Sequence, residues 1–515
     1  MALLHHLATE RAEHAPDRPA IAGADSVTTY GMLLSRARSL AAGLHRIGVR
    51  PGDRVVIVAE QAPWYVEACL GVLHAGAVIV PHCADVKPDS FRWLLEHTEA
   101  SAVILREADL PHAPPHVPPR LVVAGARDTT RMDRDVFCME ELIAAGGTPR
   151  NADLPETALA SIFYTSGTTG RPKGVMLSHR NLVANVRSIV SYLGLGPDDR
   201  AAMALPFQYV YGNSVLHTHL AAGGSIGLVG SVAFPAKMVS LIQMLRCTNL
   251  PAVASSLCRL LDAGLSAQHA LRFVTHAGGP MPSSLLARSR AALPSTRIVL
   301  MYGQTEASAR LAWLPPDELP RRPGSAGKAI PGVTLRIVDE HGSTQPSGVI
   351  GEVVASGDNV MVGYWKDPVE TARVLRAGGL HTGDIGRMDE DGYLYLVGRN
   401  AEMIKSGGHR IGPREVEEVV ESLPGIAQCA VVGVPDDLLG ERIVAWVVAA
   451  DPQVTSERAV LQGCFEKLPR FKLPCRVLFI PELPRTAVGK LDRRTLAAWA
   501  ADAAHASSQP RDPIP

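Results

Sequence analysis

The chain lacks the features that would tie it to a membrane, a nucleic acid or an oxidising compartment. Lys+Arg and Asp+Glu both number 51, so no net charge draws it to polyanions. Its longest apolar stretches, such as 68–80, are broken by His74 and by glycines, and none reads as a membrane span. The start, Met1-Ala2-Leu3-Leu4-His5-His6-Leu7, has neither the basic segment nor the apolar core of a secretory signal. Eight cysteines, at 69, 83, 138, 247, 258, 429, 464 and 475, are scattered without a Cys-x-x-Cys pair. They suit reduced thiols in a cytoplasm better than a disulfide framework or a zinc site. The richness in Ala, Arg, Gly and Pro fits a GC-rich bacterial genome. At 515 residues the chain is too long for one ordinary domain and implies two or more.

What is there starts with Tyr164-Thr165-Ser166-Gly167-Thr168-Thr169-Gly170-Arg171-Pro172-Lys173-Gly174, directly after the apolar run 159–163. Glycines let a backbone fold tightly and bring its N–H groups to an anion. The Thr and Ser hydroxyls add donors, and Arg171 and Lys173 add positive charge where a polyphosphate would sit. It is not a Walker A loop, because no Gly-Lys-Ser/Thr follows four residues after a glycine.

The first half alternates short β-branched runs with segments of helical spacing. Residues 54–59, 77–80, 102–105 and 121–123 read as strands, and 63–75, with Val66, Leu70 and Leu73, as a helix. Strands separated by helices point to parallel α/β layers. The Pro-rich piece 110–119 reads as a surface loop. Strand-like 273–275 and 297–301 run into the turns Ala277-Gly278-Gly279 and Tyr302-Gly303, where α/β sheets hold ligands. After Gly398 the texture changes. Helices over 413–423 and 459–468 and strands over 428–432, 442–448 and 476–480 describe a compact α+β unit of ordinary domain size.

These residues resemble the adenylate-forming superfamily of acyl- and aryl-CoA ligases, stand-alone adenylation enzymes and beetle luciferases. The loop is similar to its phosphate loop. Tyr302-Gly303-Gln304-Thr305-Glu306, His381-Thr382-Gly383-Asp384, Gly398-Arg399 with Ile404-Lys405-Ser406-Gly407-Gly408, and Pro484-Arg485-Thr486-Ala487-Val488-Gly489-Lys490 resemble its later motifs, in the family's order. The resemblance implies a large N-terminal domain of parallel and mixed α/β layers, 1–398, a small mobile α+β lid, 399–500, and a disordered tail, 501–515. It also implies ATP and Mg²⁺ as cofactors, a small-molecule carboxylic acid as substrate, and CoA or a carrier-protein phosphopantetheine as acceptor. No carrier module follows in the chain, so the acceptor is expected from solution.

Making a carboxylate attack the α-phosphate of ATP concentrates negative charge on phosphate oxygens, which calls for donors, a cation and Mg²⁺. By resemblance, Thr165, Ser166, Gly167, Thr168 and Thr169 hold the β/γ phosphates and Lys173 anchors the loop. Glu306 takes Mg²⁺, a hard ion that prefers carboxylate oxygen. Tyr302 stacks on adenine with Gly278, Gly279, Gly303 and Thr305 around it. Asp384 accepts from the ribose hydroxyls, with Arg399 assisting from the hinge. Lys490 bridges carboxylate and α-phosphate, and domain rotation then replaces it by Lys405 to Arg410, with Gly407 and Gly408 leaving room for a pantetheine arm.

The acid pocket falls on 205–213. Tyr209 stands at the family's aromatic gate. Val210 falls where α-amino-acid-activating relatives keep an aspartate, which argues against an α-amino acid, because a buried ammonium needs a counter-charge. Gln208, Tyr209, Tyr211, Asn213 and Ser256 favour an aromatic or hydroxylated acid over a long alkyl chain, with half of them facing away if the segment is a strand. His179 reads as helix-start structure. Loading of a separate carrier protein, adenylation of a non-carboxylate such as nitrite, and nucleotide binding without turnover are the competing readings.

One departure from the family pattern is Ala401, where most relatives have Asp or Lys at the domain pivot. Ala401→Asp is expected to leave adenylation intact and to change mainly the thioesterification rate. Equal effects in separate assays of the two steps would sink that expectation.

Overall fold

The computed structural model describes residues 2–506 except 60, 84–87, 113–119, 126–135, 150–152, 166–171, 269, 400–401, 407–408, 437–438, 451–454 and 487–490. The chain forms two compact units, Met1–Leu335 with Val354–Leu380, and Arg336–Val353 with His381–Pro515. The class is the mixed α/β one expected from the sequence, with a large unit and a smaller one.

Two sheets build the large unit. In one, Arg54–Ala59, Val78–Cys83, Ala100–Arg106, Leu121–Ala124, Val136–Cys138 and Leu159–Thr165 run parallel. In the other, Arg200–Met203, Ser225–Leu228, Asn249–Ala252, Phe273–His276 and Arg297–Tyr302 do the same. Val55, Val56, Ile57, Ile79 and Val80 are fully buried, as strands covered on both faces require. The helix Pro63–His74 starts with proline at its first turn, where the missing N–H is harmless. It buries Val66, Leu70 and Leu73 as its spacing predicts. It also buries Glu67, which is paired with Arg36 at 2.8 Å.

The small unit shows strict alternation. Cys429, Val431, Ile443, Ala445 and Val447 join the helix residues Val416, Val420, Val460 and Cys464 in one core. Ala430, Val432, Val434, Val444 and Trp446 face the opposite way, with Leu496 and Ala500. The paired strands Ile426–Asp436 and Gly440–Ala449 therefore carry unbroken apolar runs over 429–432 and 443–449, because successive side chains of a strand point to opposite faces and both faces are covered by helices. Trp446 donates its indole N–H to the Leu496 carbonyl at 3.1 Å. Buried Glu417 accepts from Val431 N at 2.9 Å and from Arg493 at 2.5 Å, which satisfies a charge that would otherwise be costly in the interior.

Two expectations are corrected. Residues 110–112 complete a 3₁₀ turn, Glu107–His112, inside the stretch read as a Pro-rich loop, whose remainder at 113–119 lies outside the described residues. The last helix runs Arg493–Ala506, so the first six residues of the stretch read as a disordered tail are helical. An Ala-rich sequence has high helix propensity, and Leu496 and Ala500 give the helix a face to bury.

A cluster of buried histidines lies under the first helix, Leu4–His14. His5 packs 4.4 Å from His74 and 5.9 Å from His179 between ring centroids. His179 opens the helix His179–Leu193 behind the cap Ser178, and its Nδ1 accepts the Leu4 N–H at 3.0 Å, so that nitrogen carries no proton. Burial lowers His74, His179 and His217 to about 4 and His5 to about 2, with neighbouring histidines and Arg38 adding to the effect. Between 6.5 and about 4 the unfolded chain therefore binds more protons than the folded one. The contribution of these histidines to stability is level above pH 6.5 and falls as pH drops from 6.5 to about 4. Tm measured across that interval is expected to decline, and a His74→Gln variant, which removes one titration, to decline less. A variant whose pH slope matches the wild type would refute this account.

Candidate active site

Leu159–Thr165 and Lys173–Ser178 pair antiparallel with Thr165 opposite Lys173. Ala160, Ile162 and Phe163 are buried, so the hairpin is rooted in the core and its mouth is fixed. The expected phosphate-holding residues Ser166, Gly167, Thr168 and Thr169 lie outside the described residues. Lys173 Nζ bonds Glu370 Oε1 at 2.5 Å, and both side chains are mostly buried. The same ammonium lies 5.4 Å from the centre of the Tyr364 ring, within the range of a cation–π contact. The side chain of Lys173 is thus held by Glu370 and by the Tyr364 ring.

Glu306 stands in the turn Thr305–Ala307, just past the strand Arg297–Tyr302. Its Oε1 accepts the Tyr364 hydroxyl at 2.9 Å and its backbone carbonyl accepts Met361 N at 2.8 Å. Among the described residues nothing else bonds the carboxylate, so its second oxygen is open to a hard cation, and Glu306 fits the Mg²⁺ role. Gly303 is required by close approach. A Cβ there would stand 2.1 Å from the Ala309 carbonyl oxygen. Ser308 and Ala309, with φ of 57° and 108°, hold backbone conformations that are costly outside glycine. Asn359 braces this turn, donating to the carbonyls of Ala307 at 3.1 Å and Arg310 at 3.0 Å.

Gly278, at φ 90°, and Gly279 follow the strand Phe273–His276. His276 Nε2 lies 3.0 Å from the Gly279 carbonyl. Burial lowers this imidazole to about 4, and its Nδ1 has no partner among the described residues. The turn is therefore held by a neutral histidine.

In the acid-pocket segment the strand alternative does not hold beyond Tyr209: Val210–Ala222 is helical, with Tyr209 as its cap residue. Gly212 makes this possible, because a Cβ there would meet the Pro206 carbonyl oxygen at 2.3 Å. Side chains consequently sort by helical rather than alternating spacing. Tyr211 turns inward, donating to the Thr275 carbonyl at 2.9 Å, with Arg310 over its ring at 4.0 Å. Ser256 caps its own helix, accepting from Val253 N at 3.0 Å. Both hydroxyls are thus engaged within the fold. Asn213 is 2% exposed and its Nδ2 has no partner among the described residues. Tyr209 is 38% exposed, its phenol pushed up by burial and then by Cys83. Val210 is half-buried at the first helical position. The strand read as ending at Val80 continues to Cys83, which brings Cys83 toward Tyr209.

In the small unit, Asp384 and Arg399 are cross-strand partners, joined Oδ1 to Nε at 3.0 Å. Asp384 is buried and Arg399 half exposed. Lys405 and Arg410 are backbone partners in two paired short strands; Gly407 and Gly408, between them in sequence, lie outside the described residues, as does Lys490. Arg485 and Leu491 bridge the two ends of the Lys490 segment.

Sequence reasoning missed Tyr364, Glu370 and Asn359. Glu370 was hidden by helix-start chemistry. Asp367 caps the helix Pro368–Val374, accepting from Glu370 N, and Asp-Pro-x-Glu there reads as a cap pattern. The Glu370 side chain instead serves Lys173. Tyr364 had no local signal, because its partner is remote in sequence.

A phosphate-loop hairpin beside a carboxylate turn, on parallel sheets that end in glycine turns, defines an adenylate-forming enzyme: the chain belongs to the AMP-binding enzyme family. The family's "AMP-binding enzyme" domain matches residues 8–365 and its "AMP-binding enzyme C-terminal domain" residues 415–490. A feruloyl-CoA synthase from an Amycolatopsis species is 34% identical over 488 residues, 93% of this chain and 96% of the relative. A fatty acid–[acyl-carrier-protein] ligase, ScoC of Streptomyces coeruleorubidus, is 33% identical, with 94% of each chain covered. Among solved structures, the anthranilate CoA ligase AuaEII in complex with anthranoyl-AMP matches with TM-score 0.87 at 26% identity over 98% of both chains. No described helix is long and apolar enough to cross a membrane.

Asn213→Leu is expected to raise KM for the acid by roughly tenfold, the worth of one hydrogen bond to a buried group, while KM for ATP stays unchanged. An equal rise in both would make Asn213 structural.

Proposed function

We propose that this enzyme joins an aromatic or hydroxylated carboxylic acid to CoA through an acyl-adenylate. The observation that carries this reading is the convergence of Lys173 and Glu306 on Tyr364, which sets the mouth of the phosphate loop beside a carboxylate with one open oxygen. In the first half-reaction a carboxylate oxygen attacks the α-phosphorus and the bond to the bridging oxygen breaks, releasing pyrophosphate. In the second, the thiol sulfur attacks the acyl carbon, loses its proton, and AMP leaves.

Residues 165–169 would cradle the β/γ phosphates with backbone and hydroxyl donors, and Lys173 would keep the loop's downstream arm in place. Mg²⁺, held at Glu306, would supply positive charge against the phosphates. Asp384, oriented by Arg399, would accept from the ribose hydroxyls, and Tyr302 with Gly278 and Gly279 would receive the adenine. Lys490 would serve adenylation, and the Lys405–Arg410 segment thioester formation, on a lid beginning at 399. Tyr209, Val210 and Asn213 would line the acid pocket. The absence of a carboxylate at Val210 supports an acid without an α-ammonium, and relatives named for ferulic and anthranilic acids support an aromatic one.

Carrier-protein loading is the second reading, supported by the likeness to ScoC. The deciding measurement is pyrophosphate release from Mg-ATP over aryl, hydroxylated, fatty and amino acids, with and without CoA. Multiple-turnover release that needs CoA and yields an acyl-CoA by mass is expected. Release of about one equivalent that ignores CoA, as a tightly held adenylate gives, would shift the assignment to a carrier loader.

A further inference from the structure

One short segment grips both halves of the phosphate site. Val362 N donates to Met176 O at 3.0 Å and Trp365 N to Gly174 O at 2.7 Å, so 362–365 runs as an extra strand along the downstream arm of the loop hairpin. In the same segment Met361 N and the Tyr364 hydroxyl take the backbone and side-chain oxygens of Glu306. Six residues further on, Glu370 takes Lys173, and Arg373 pins Glu370 at 2.7 Å. Tyr364 is itself fixed: it is 6% exposed, its backbone pairs with Val175, and its N–H donates to Thr371 Oγ1 at 2.8 Å.

We propose that Tyr364 is a positioning residue for the metal-nucleotide complex: its hydroxyl locks the rotation of the Glu306 carboxylate, and the 361–370 segment ties that orientation to the phosphate-loop strand. The proposal rests on the reading of Glu306 as the Mg²⁺ ligand. A glutamate carboxylate on an irregular turn has three side-chain rotors and little to hold them. One directed donor on Oε1 leaves Oε2 facing a single direction and keeps the negative charge in place. A phenol buried for packing alone needs an acceptor, yet a backbone carbonyl would serve that purpose. The acceptor here is the carboxylate that the site needs for a cation.

The test uses the full-length enzyme with a non-hydrolysable ATP analogue and Mn²⁺ as the probe, titrated by electron paramagnetic resonance. Tyr364→Phe, which removes only the hydroxyl, is expected to weaken Mn²⁺ binding on the order of tenfold, as loss of a ligand-orienting partner does. Tm and KM for the acid should stay at wild-type values. Glu306→Gln should weaken Mn²⁺ binding at least as much, and the double variant no further, because the hydroxyl acts only through the carboxylate. Wild-type Mn²⁺ affinity in Tyr364→Phe, with Glu306→Gln impaired, overturns the positioning role alone. Loss of Tm together with equal weakening of acid, ATP and Mn²⁺ also overturns it, by showing a packing role. Unchanged Mn²⁺ binding in Glu306→Gln overturns the metal assignment and the proposal with it.

Discussion

A parallel strand covered on both faces can offer polar groups only at its ends, and the organisation of the large unit follows from that constraint. Val55, Val56, Ile57, Ile79 and Val80 have no access to water, so the middle of these two strands offers no polar side chain. The loop hairpin, the Gly278-Gly279 turn and the Tyr302-Gly303 turn all lie immediately beyond strands. The helix that starts at Val210 reaches the same region, since Tyr211 bonds Thr275 on one of these strands. Chemistry gathers where the backbone first escapes the core.

That arrangement leaves the site dependent on turns whose geometry few residues can adopt. Gly303 and Gly212 are forced by carbonyl oxygens that would meet any side chain. Ser308 and Ala309 stay in left-handed conformations because Asn359 holds the flanking carbonyls and Ser308 Oγ donates to the Asn359 carbonyl at 2.7 Å. The strain is local and the compensation comes from another segment. In the small unit the same economy appears as a charge, Glu417, satisfied by a strand N–H and by Arg493.

Much of the fold was legible because its signals are local. Periodicity marked the helix Pro63–His74 and the strands of the first sheet, and turn glycines marked where polar chemistry would appear. Lys173 and Glu306 were singled out by their motifs. The errors came where one segment's state is set by another. Residues 210–213 carry no helix-start cap, since Tyr209 makes no side-chain cap bond, so the helix could not be read from its beginning. Tyr211 and Ser256 look like pocket polars in sequence, and their bonds to Thr275 and Val253 are invisible there. Tyr364, Glu370 and Asn359 act across the unit, and no window of sequence contains both them and their partners.

The discontinuous course of the large unit bears on how the site comes into being. The chain leaves that unit at Leu335, returns at Val354 and departs again after Leu380. The returning piece supplies Tyr364 to Glu306 across 58 positions and Glu370 to Lys173 across 197. Neither contact can form until that piece is seated. Unseating 354–380 would therefore release the Glu306 carboxylate and the Lys173 ammonium together, while every pairing of the parallel sheets stayed in place.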